Sequence, residues 1–278
     1  MIGQRELINK ITAQIERGKF PRVSILIGEK GSGKKTLTHL IGRKMGLIPY
    51  YFDADEDCFS KVREYMYELD VKGIYVSCDC DDLTEKGMDS IREIINNLPD
   101  DVYFIITCEL LDNIPADIKS KAVTYMMDSY SDDDKFDYLY ECFLRGPLTE
   151  DDESFIVETA SNLGEICEML DHDVREFKVY VNYVLNSLMQ PPCIPSEFAC
   201  KIALSGENDK YPIRLFLRAF MAICGDKMQV EGNSLMYCRF IAITEEALQD
   251  NIGSSESSLD AFKSWESKIR EEYEKFRD

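Results

Sequence analysis

The stretch Val23-Ser24-Ile25-Leu26-Ile27-Gly28-Glu29-Lys30-Gly31-Ser32-Gly33-Lys34-Lys35-Thr36-Leu37-Thr38-His39-Leu40-Ile41-Gly42 decides the fold. An apolar run of strand type runs into a glycine-rich turn, and a helix-forming segment follows. Strand, loop, helix is the context that a phosphate-binding P-loop requires. The glycines let the backbone curl so that successive N–H groups point into one concavity. The helix N-terminus adds partial positive charge there, and Lys34 supplies a full one. Gly28, Glu29, Lys30, Gly31, Ser32, Gly33, Lys34, Lys35 and Thr36 are therefore the candidate nucleotide-binding residues. The pattern is G-x4-G-K followed by Lys35, where Ser or Thr is expected. That hydroxyl normally ligates Mg²⁺, and a lysine cannot. Thr36, one position late, is the remaining hydroxyl for a metal. The competing reading is a plain glycine-rich turn between a strand and a helix.

Around this motif the chain has 278 residues, 45% hydrophobic and 30% charged. That composition fits a packed globular protein of two or three domains. An N-terminal apolar leader and any run long enough to span a bilayer are both missing, so a cytoplasmic protein without membrane contact is expected. The ten cysteines are scattered apart from Cys78 and Cys80, which favours free thiols over a disulfide framework or a zinc cluster. A formal net charge of −20 argues against a large non-specific nucleic-acid surface. Residues 128–153 hold ten carboxylates against Lys135 and Arg145, a pattern that reads as a solvated face or linker.

Periodicity orders the rest. Residues 4–17 read as an amphipathic helix stopped by Gly18. Strands are expected at Val23–Ile27, Ile48–Phe52, Val71–Ser77 and Val102–Thr107. Between them lie helical patterns from the P-loop to about Met45, through Phe59, Val62, Tyr65, Met66 and Leu69, and from Glu85 to Asn97 behind a Thr84 cap. This alternation implies a parallel sheet covered by helices on both faces. Ligands of such sheets sit at the carboxyl ends of the strands. The P-loop, Asp79, Asp81 and Thr107 all fall there. After about residue 125 the pattern turns helical. Phe136, Leu139, Tyr140 and Phe143 share one face, Thr149 opens a capping pattern, and Asn162-Leu163-Gly164 reads as a break. A long helix covers Val174–Leu188, the proline-rich segment 190–195 is the clearest linker, and helices follow at about 196–205, 211–223, 232–248 and 257–276. Trp265 is expected to pack inside the last part of the chain or against a partner.

In this order of segments the chain resembles the clamp-loader AAA+ subunits. It is most similar to the delta-prime and gamma/tau subunits of bacterial DNA polymerase III, and more distantly to the small subunits of replication factor C. The resemblance rests on Gly3-Gln4 before the first helix, on the P-loop, on Asp79-Cys80-Asp81-Asp82-Leu83-Thr84, and on Pro115-Ala116-Asp117-Ile118-Lys119-Ser120-Lys121. It covers roughly residues 1–170, with only helical character beyond.

What the resemblance implies is a three-part α/β protein: a P-loop AAA+ core with a parallel sheet over 1–126, a helical lid over 127–189, and an all-α collar for oligomerisation over 190–278. It implies ATP and Mg²⁺ as cofactors, with Thr36 and Asp79 toward the metal. Asp79, Asp81, Thr107 and Lys121 would take catalytic roles. Other clamp-loader subunits, a sliding clamp and primer–template DNA are the implied partners. The departures point the other way. Aligned on Leu83, the usual metal-binding Asp falls on Cys78 and the catalytic Glu on Asp79. Lys121 stands where an arginine finger is usual, and lacks its bidentate fork. Gly164-Glu165-Ile166-Cys167 lacks the lid arginine. With Lys35, these weaken hydrolysis and favour a nucleotide-holding member of an assembly. The alternatives are an active AAA+ ATPase of another DNA-processing complex, a P-loop small-molecule kinase, and a degenerate P-loop domain that only mediates assembly.

Overall fold

Strand β1 (Val23–Ile27) is buried along its whole length, because it is flanked on both sides and covered on both faces. Ile25 and Ile27 point into one hydrophobic cluster and Leu26 into another, the period-two alternation of a strand. The computed structural model describes residues 2–53, 56–68, 71–141, 148–171, 173–189, 213–230, 233–249 and 258–277. The expected linker at 190–195 and the helix at 196–205 lie outside the described residues, as do Leu69 and Phe143.

The chain forms two compact units: residues 1–134 with 162–164, and residues 135–161 with 165–278. The first contains a five-stranded sheet in the order β2-β3-β4-β1-β5, with every pairing parallel. The other strands are β2 (Pro49–Asp53), β3 (Ile74–Cys78), β4 (Tyr103–Cys108) and β5 (Val123–Met126). Helices α1 (Arg5–Glu16) and α2 (Lys34–Met45) cover one face with Leu7, Ile11, Leu37 and Ile41. The other face meets α3 (Glu56–Arg63), α4 (Glu85–Asn96) and α5 (Ala116–Lys121) through Phe59, Val62, Ile91, Ile94 and Ile118. The Thr84 side chain caps α4 by accepting from Gly87 N at 3.2 Å.

Strand β5 extends the sheet beyond the four strands expected from sequence. Its four residues bury only Tyr125 well, so pairing with β1 rather than apolar alternation makes it a strand. Gln4 ties the chain start to this side of the sheet. Its amide donates to Asp128 O at 2.5 Å and accepts from Asp128 N at 2.8 Å.

The second unit is helical. Its helices include α6 (Asp132–Glu141, which begins in the first unit), α7 (Glu150–Thr159), α8 (Leu163–Leu170), α9 (Val174–Leu188), α10 (Ile213–Val230), α11 (Ser234–Gln249) and α12 (Ser258–Arg277). Thr149 and Asp152 form a reciprocal capping box on α7, as the sequence predicts. Helix α6 departs from its expected face. Lys135 and Leu139 are buried, while Phe136 is 40% and Tyr140 83% exposed. The Lys135 ammonium is satisfied by Val157 O at 3.0 Å, which lets a charged residue enter where the pattern put an aromatic.

The core of this unit centres on Trp265. It is 1% exposed, stands edge-on to Phe220 at 4.9 Å and to Phe216 at 5.9 Å, and its indole N–H donates to Thr244 Oγ1 at 3.0 Å. Trp265→Ala is expected to destabilise this unit by about 3–5 kcal/mol. Trp265→Phe should cost clearly less, since it keeps the ring contacts and loses the hydrogen bond. Chemical denaturation followed by circular dichroism checks both; equal costs would show that the hydrogen bond, not the packing, dominates.

Candidate functional site

The glycine loop leaves β1 under two backbone constraints: Gly28 N donates to Cys108 O at 3.1 Å, and Met127 N donates to Ile27 O at 2.8 Å. Neighbouring strands on both sides thus fix where the loop begins. The curl is closed by Ser32 N donating to Glu29 O at 3.1 Å. Gly31 and Gly33 take φ values of +87° and +94°, a left-handed conformation that glycine adopts without steric cost. Gly33 is the N-cap of α2, and Lys34 is its first residue.

Lys34 is buried. Its ammonium turns back into the loop and donates to Gly28 O at 2.5 Å and Glu29 O at 3.0 Å. Ser32 Oγ is also buried and has no hydrogen-bond partner; a Cβ on Gly28 would lie 2.7 Å from it. The loop therefore holds a cation, an unused hydroxyl and a helix N-terminus. That set matches the chemistry of a phosphate group.

The chain returns to this loop from far along the sequence. Tyr130 Oη donates to Ser32 O at 2.7 Å. Asn162 Nδ2 donates to Lys30 O at 3.1 Å, and Gly164 N donates to Gly31 O at 3.1 Å. The approach is so close that a Cβ on Gly31 would sit 2.4 Å from Asn162 Oδ1. From sequence, Asn162-Leu163-Gly164 reads only as a break; the one signal available was a glycine beside an amide residue. Glu109 adds a carboxylate contact, accepting from Lys30 N at 3.1 Å.

At the adjacent strand ends the expected residues have distinct positions. Thr107 is buried in β4, and its Oγ1 accepts from Asp79 N at 3.0 Å. Asp79 itself is exposed, with a left-handed φ of 52° that aspartate tolerates better than most residues. Asp81, to which the resemblance gives a catalytic role, serves the backbone. Its carboxylate accepts from Glu109 N at 2.7 Å, Leu110 N at 2.9 Å and Asn113 Nδ2 at 3.4 Å. Lys121 ends α5, and its ammonium donates to Asn96 at the end of α4. Cys167, where the resemblance puts an arginine, shares a hydrogen bond with Tyr138 Oη at 2.9 Å. Next to it, Glu165 accepts from Arg218 at 2.5 Å.

Three thiols sit beside this site. Burial pushes Cys78 upward, while the Lys35 ammonium pulls it the other way. Cys80, fully buried, is raised to about 12, as is Cys108, in both cases chiefly by desolvation.

The donor set does not suit Mg²⁺. Lys35 occupies the hydroxyl position, and Thr36 is exposed on α2. The position that the resemblance gives to the metal-binding carboxylate holds the buried Cys78 thiol, Asp81 is engaged by amides, and Asp79 is the exposed strand-end carboxylate that remains. A lysine charge beside the ion adds repulsion. Two unit charges about 4 Å apart interact by about 4 kcal/mol at an effective dielectric of about 20, and a dication doubles that.

No protein-family model matches the chain. It is similar to the DNA polymerase III gamma subunit of Buchnera aphidicola subsp. Schizaphis graminum, 20% identical over 216 residues, or 66% of this chain and 60% of that protein. The chain's match thus spans less than two thirds of that relative. Among solved structures it is similar to the RuvB Holliday junction branch migration motor of Thermotoga maritima, at 13% identity and a TM-score of 0.51, covering 82% of this chain and 77% of that one. It is also similar to the Aeropyrum pernix ORC1 protein solved in complex with DNA, at 15% identity and a TM-score of 0.51, covering 82% and 83%. The chain shares the fold of these two solved structures, a parallel α/β core with a helical part, and its sequence resembles that gamma subunit at a strongly diverged level.

Two expectations follow. Asp81→Ala leaves the amides of Glu109 and Leu110 without their acceptor and should destabilise the first unit by about 2–3 kcal/mol, read by chemical denaturation; a neutral result would remove its capping role. The buried thiols set a pH dependence. The folded chain keeps protons on Cys80 and Cys108 that an unfolded chain releases near the ordinary value of 9.0. Stability should therefore be full below about pH 9 and fall as pH climbs toward 12. Denaturation midpoints across pH 7–10.5 check this, and Cys80→Ala should flatten the decline.

Proposed function

We propose that this chain is a nucleotide-holding subunit of a multi-subunit AAA+ assembly of the clamp-loader type, acting in DNA replication in the cytoplasm. The observation that carries the reading is the loop Gly28–Lys34, with its buried ammonium and partnerless Ser32 hydroxyl at the carboxyl end of a central parallel strand. ATP is the nucleotide we assign, with residues 28–36 around its phosphates. Thr107 and Asp79, joined by a hydrogen bond, would face the terminal phosphate.

The residues at the positions that the resemblance assigns to hydrolysis support holding rather than rapid turnover. The Asp81 carboxylate is occupied by backbone amides, Cys78 and Cys167 stand in for charged residues, and Lys121 lacks the arginine fork. Residues 127–189 would act as a lid and 190–278 as a collar that contacts other loader subunits, which together engage a sliding clamp and primer–template DNA. The formal charge of −20 supports an assembly whose other members carry the DNA-facing positive charge. One observation favours a second reading, slow hydrolysis by this chain: Asp79, just past β3, is an exposed carboxylate that would orient a water in that reading.

Titration calorimetry with ATP tests the central claim. Binding in the micromolar to submillimolar range is expected, weakened at least tenfold by Lys34→Ala. Absence of binding at millimolar ATP would overturn it. Brisk turnover by the isolated chain, abolished by Lys34→Ala, would replace the holding role with a motor. Affinity purification of the tagged chain from its source cells should bring down a sliding clamp or other loader subunits.

A further inference from the structure

The beginning of α2 holds two consecutive lysines with opposite duties. Successive helical residues project about 100° apart, so Lys34 and Lys35 cannot serve the same point. Lys34 turns inward onto Gly28 O and Glu29 O. Lys35 is exposed and lies on the side of the neighbouring strand ends. Tyr51 of β2 donates to its carbonyl at 3.1 Å, and its charge acts on the Cys78 thiol at the end of β3, as do those of Asp53 and Asp79.

This is the corner where a P-loop site ordinarily gathers its divalent ion, between the hydroxyl after the P-loop lysine and the strand-end carboxylate. The loop hydroxyl is gone: its position carries an ammonium. The strand-end position that the resemblance gives to the metal-binding carboxylate holds a buried thiol, and Asp79 beside it is the exposed carboxylate that remains. A fixed cation thus stands where the dication would, within reach of the Asp53 and Asp79 charges that also act on Cys78. Thr36 does not restore the ligand, since it lies a further 100° round the helix and is exposed. Asp81 does not either, with its oxygens on the amides of Glu109 and Leu110.

We infer that this P-loop binds its nucleotide without a divalent metal, the Lys35 ammonium occupying the place and partial charge of Mg²⁺ beside the phosphates. The inference rests on the nucleotide-holding reading above and specifies the ligand of that site as the metal-free polyphosphate. Lys34 and Lys35 would flank the phosphate tail from two sides, with the amides of the loop between them.

The test is ATP titration calorimetry on the full chain, once with excess Mg²⁺ and once with EDTA, alongside a titration of Mg²⁺ alone. The expected result is a dissociation constant that changes less than about threefold between the two conditions, or that is tighter in EDTA, with no heat from Mg²⁺ alone. Lys35→Gln should weaken binding in EDTA at least fivefold. Lys35→Thr should make binding depend on Mg²⁺, at least tenfold tighter with the metal than without. Lys35 is exposed, so both variants should fold, which circular dichroism verifies. Binding by the unaltered chain that collapses tenfold or more in EDTA would overturn the metal-free site while leaving the nucleotide reading intact. No binding in either condition would overturn both. Indifference of both Lys35 variants to EDTA would remove Lys35 from the site.

Discussion

Two backbone hydrogen bonds, Gly28 N to Cys108 O and Met127 N to Ile27 O, hold the end of β1 between its neighbours. The loop has little freedom to begin anywhere else, and the position of the candidate phosphate site follows from them. They exist because β1 lies inside a parallel sheet, a placement that requires apolar side chains on both its faces. Val23–Ile27 meets that demand with five buried residues. The sheet order puts β1 next to β4, and β3 on the far side of β4. The strand ends that carry Asp79 and Thr107 therefore come to the same margin as the loop. The site follows from the topology before any polar contact is considered.

Much of this was legible in the sequence, for local reasons. Glycine spacing, a five-residue apolar run and a single lysine place the loop. Hydroxyls at 84 and 149 mark helix starts that the structure caps as expected. What was not legible depends on partners distant along the chain. Strand β5 has exposed residues at both ends, so its character comes from β1. The buried face of α6 is set by an acceptor at Val157, which no periodicity could reveal. The clasp of Asn162 and Gly164 on the loop joins residues about 130 positions apart. The role of Asp81 as an acceptor for the following loop is equally silent, because an acidic residue at a strand end looks the same whether it holds a metal or an amide.

The positions to which the resemblance assigns nucleotide chemistry share a feature: each is absorbed into the protein's own hydrogen bonding. Asp81 serves three N–H donors, Lys121 serves Asn96, and Cys167 serves Tyr138. Each change makes the fold more self-contained and leaves less for a ligand to polarise. Within the loop the Lys34 ammonium follows that trend on Gly28 O and Glu29 O, while Ser32 Oγ remains without a partner. A buried hydroxyl in that state carries a desolvation cost of about 1–3 kcal/mol that an acceptor can relieve.

Gln4 has a consequence of a different kind. A sheet of parallel strands ends in two rows of unpaired backbone groups, and such margins recruit strands from other molecules. Here β2 begins with Pro49, which has no N–H to offer. Past the other outer strand, the Gln4 amide takes up both the N–H and the carbonyl of Asp128, as a paired peptide would. A side chain thus imitates one residue of an absent strand. A carboxylate at position 4 would still accept from the Asp128 N–H but, having no donor for the Asp128 carbonyl, would leave half of this imitation unmade.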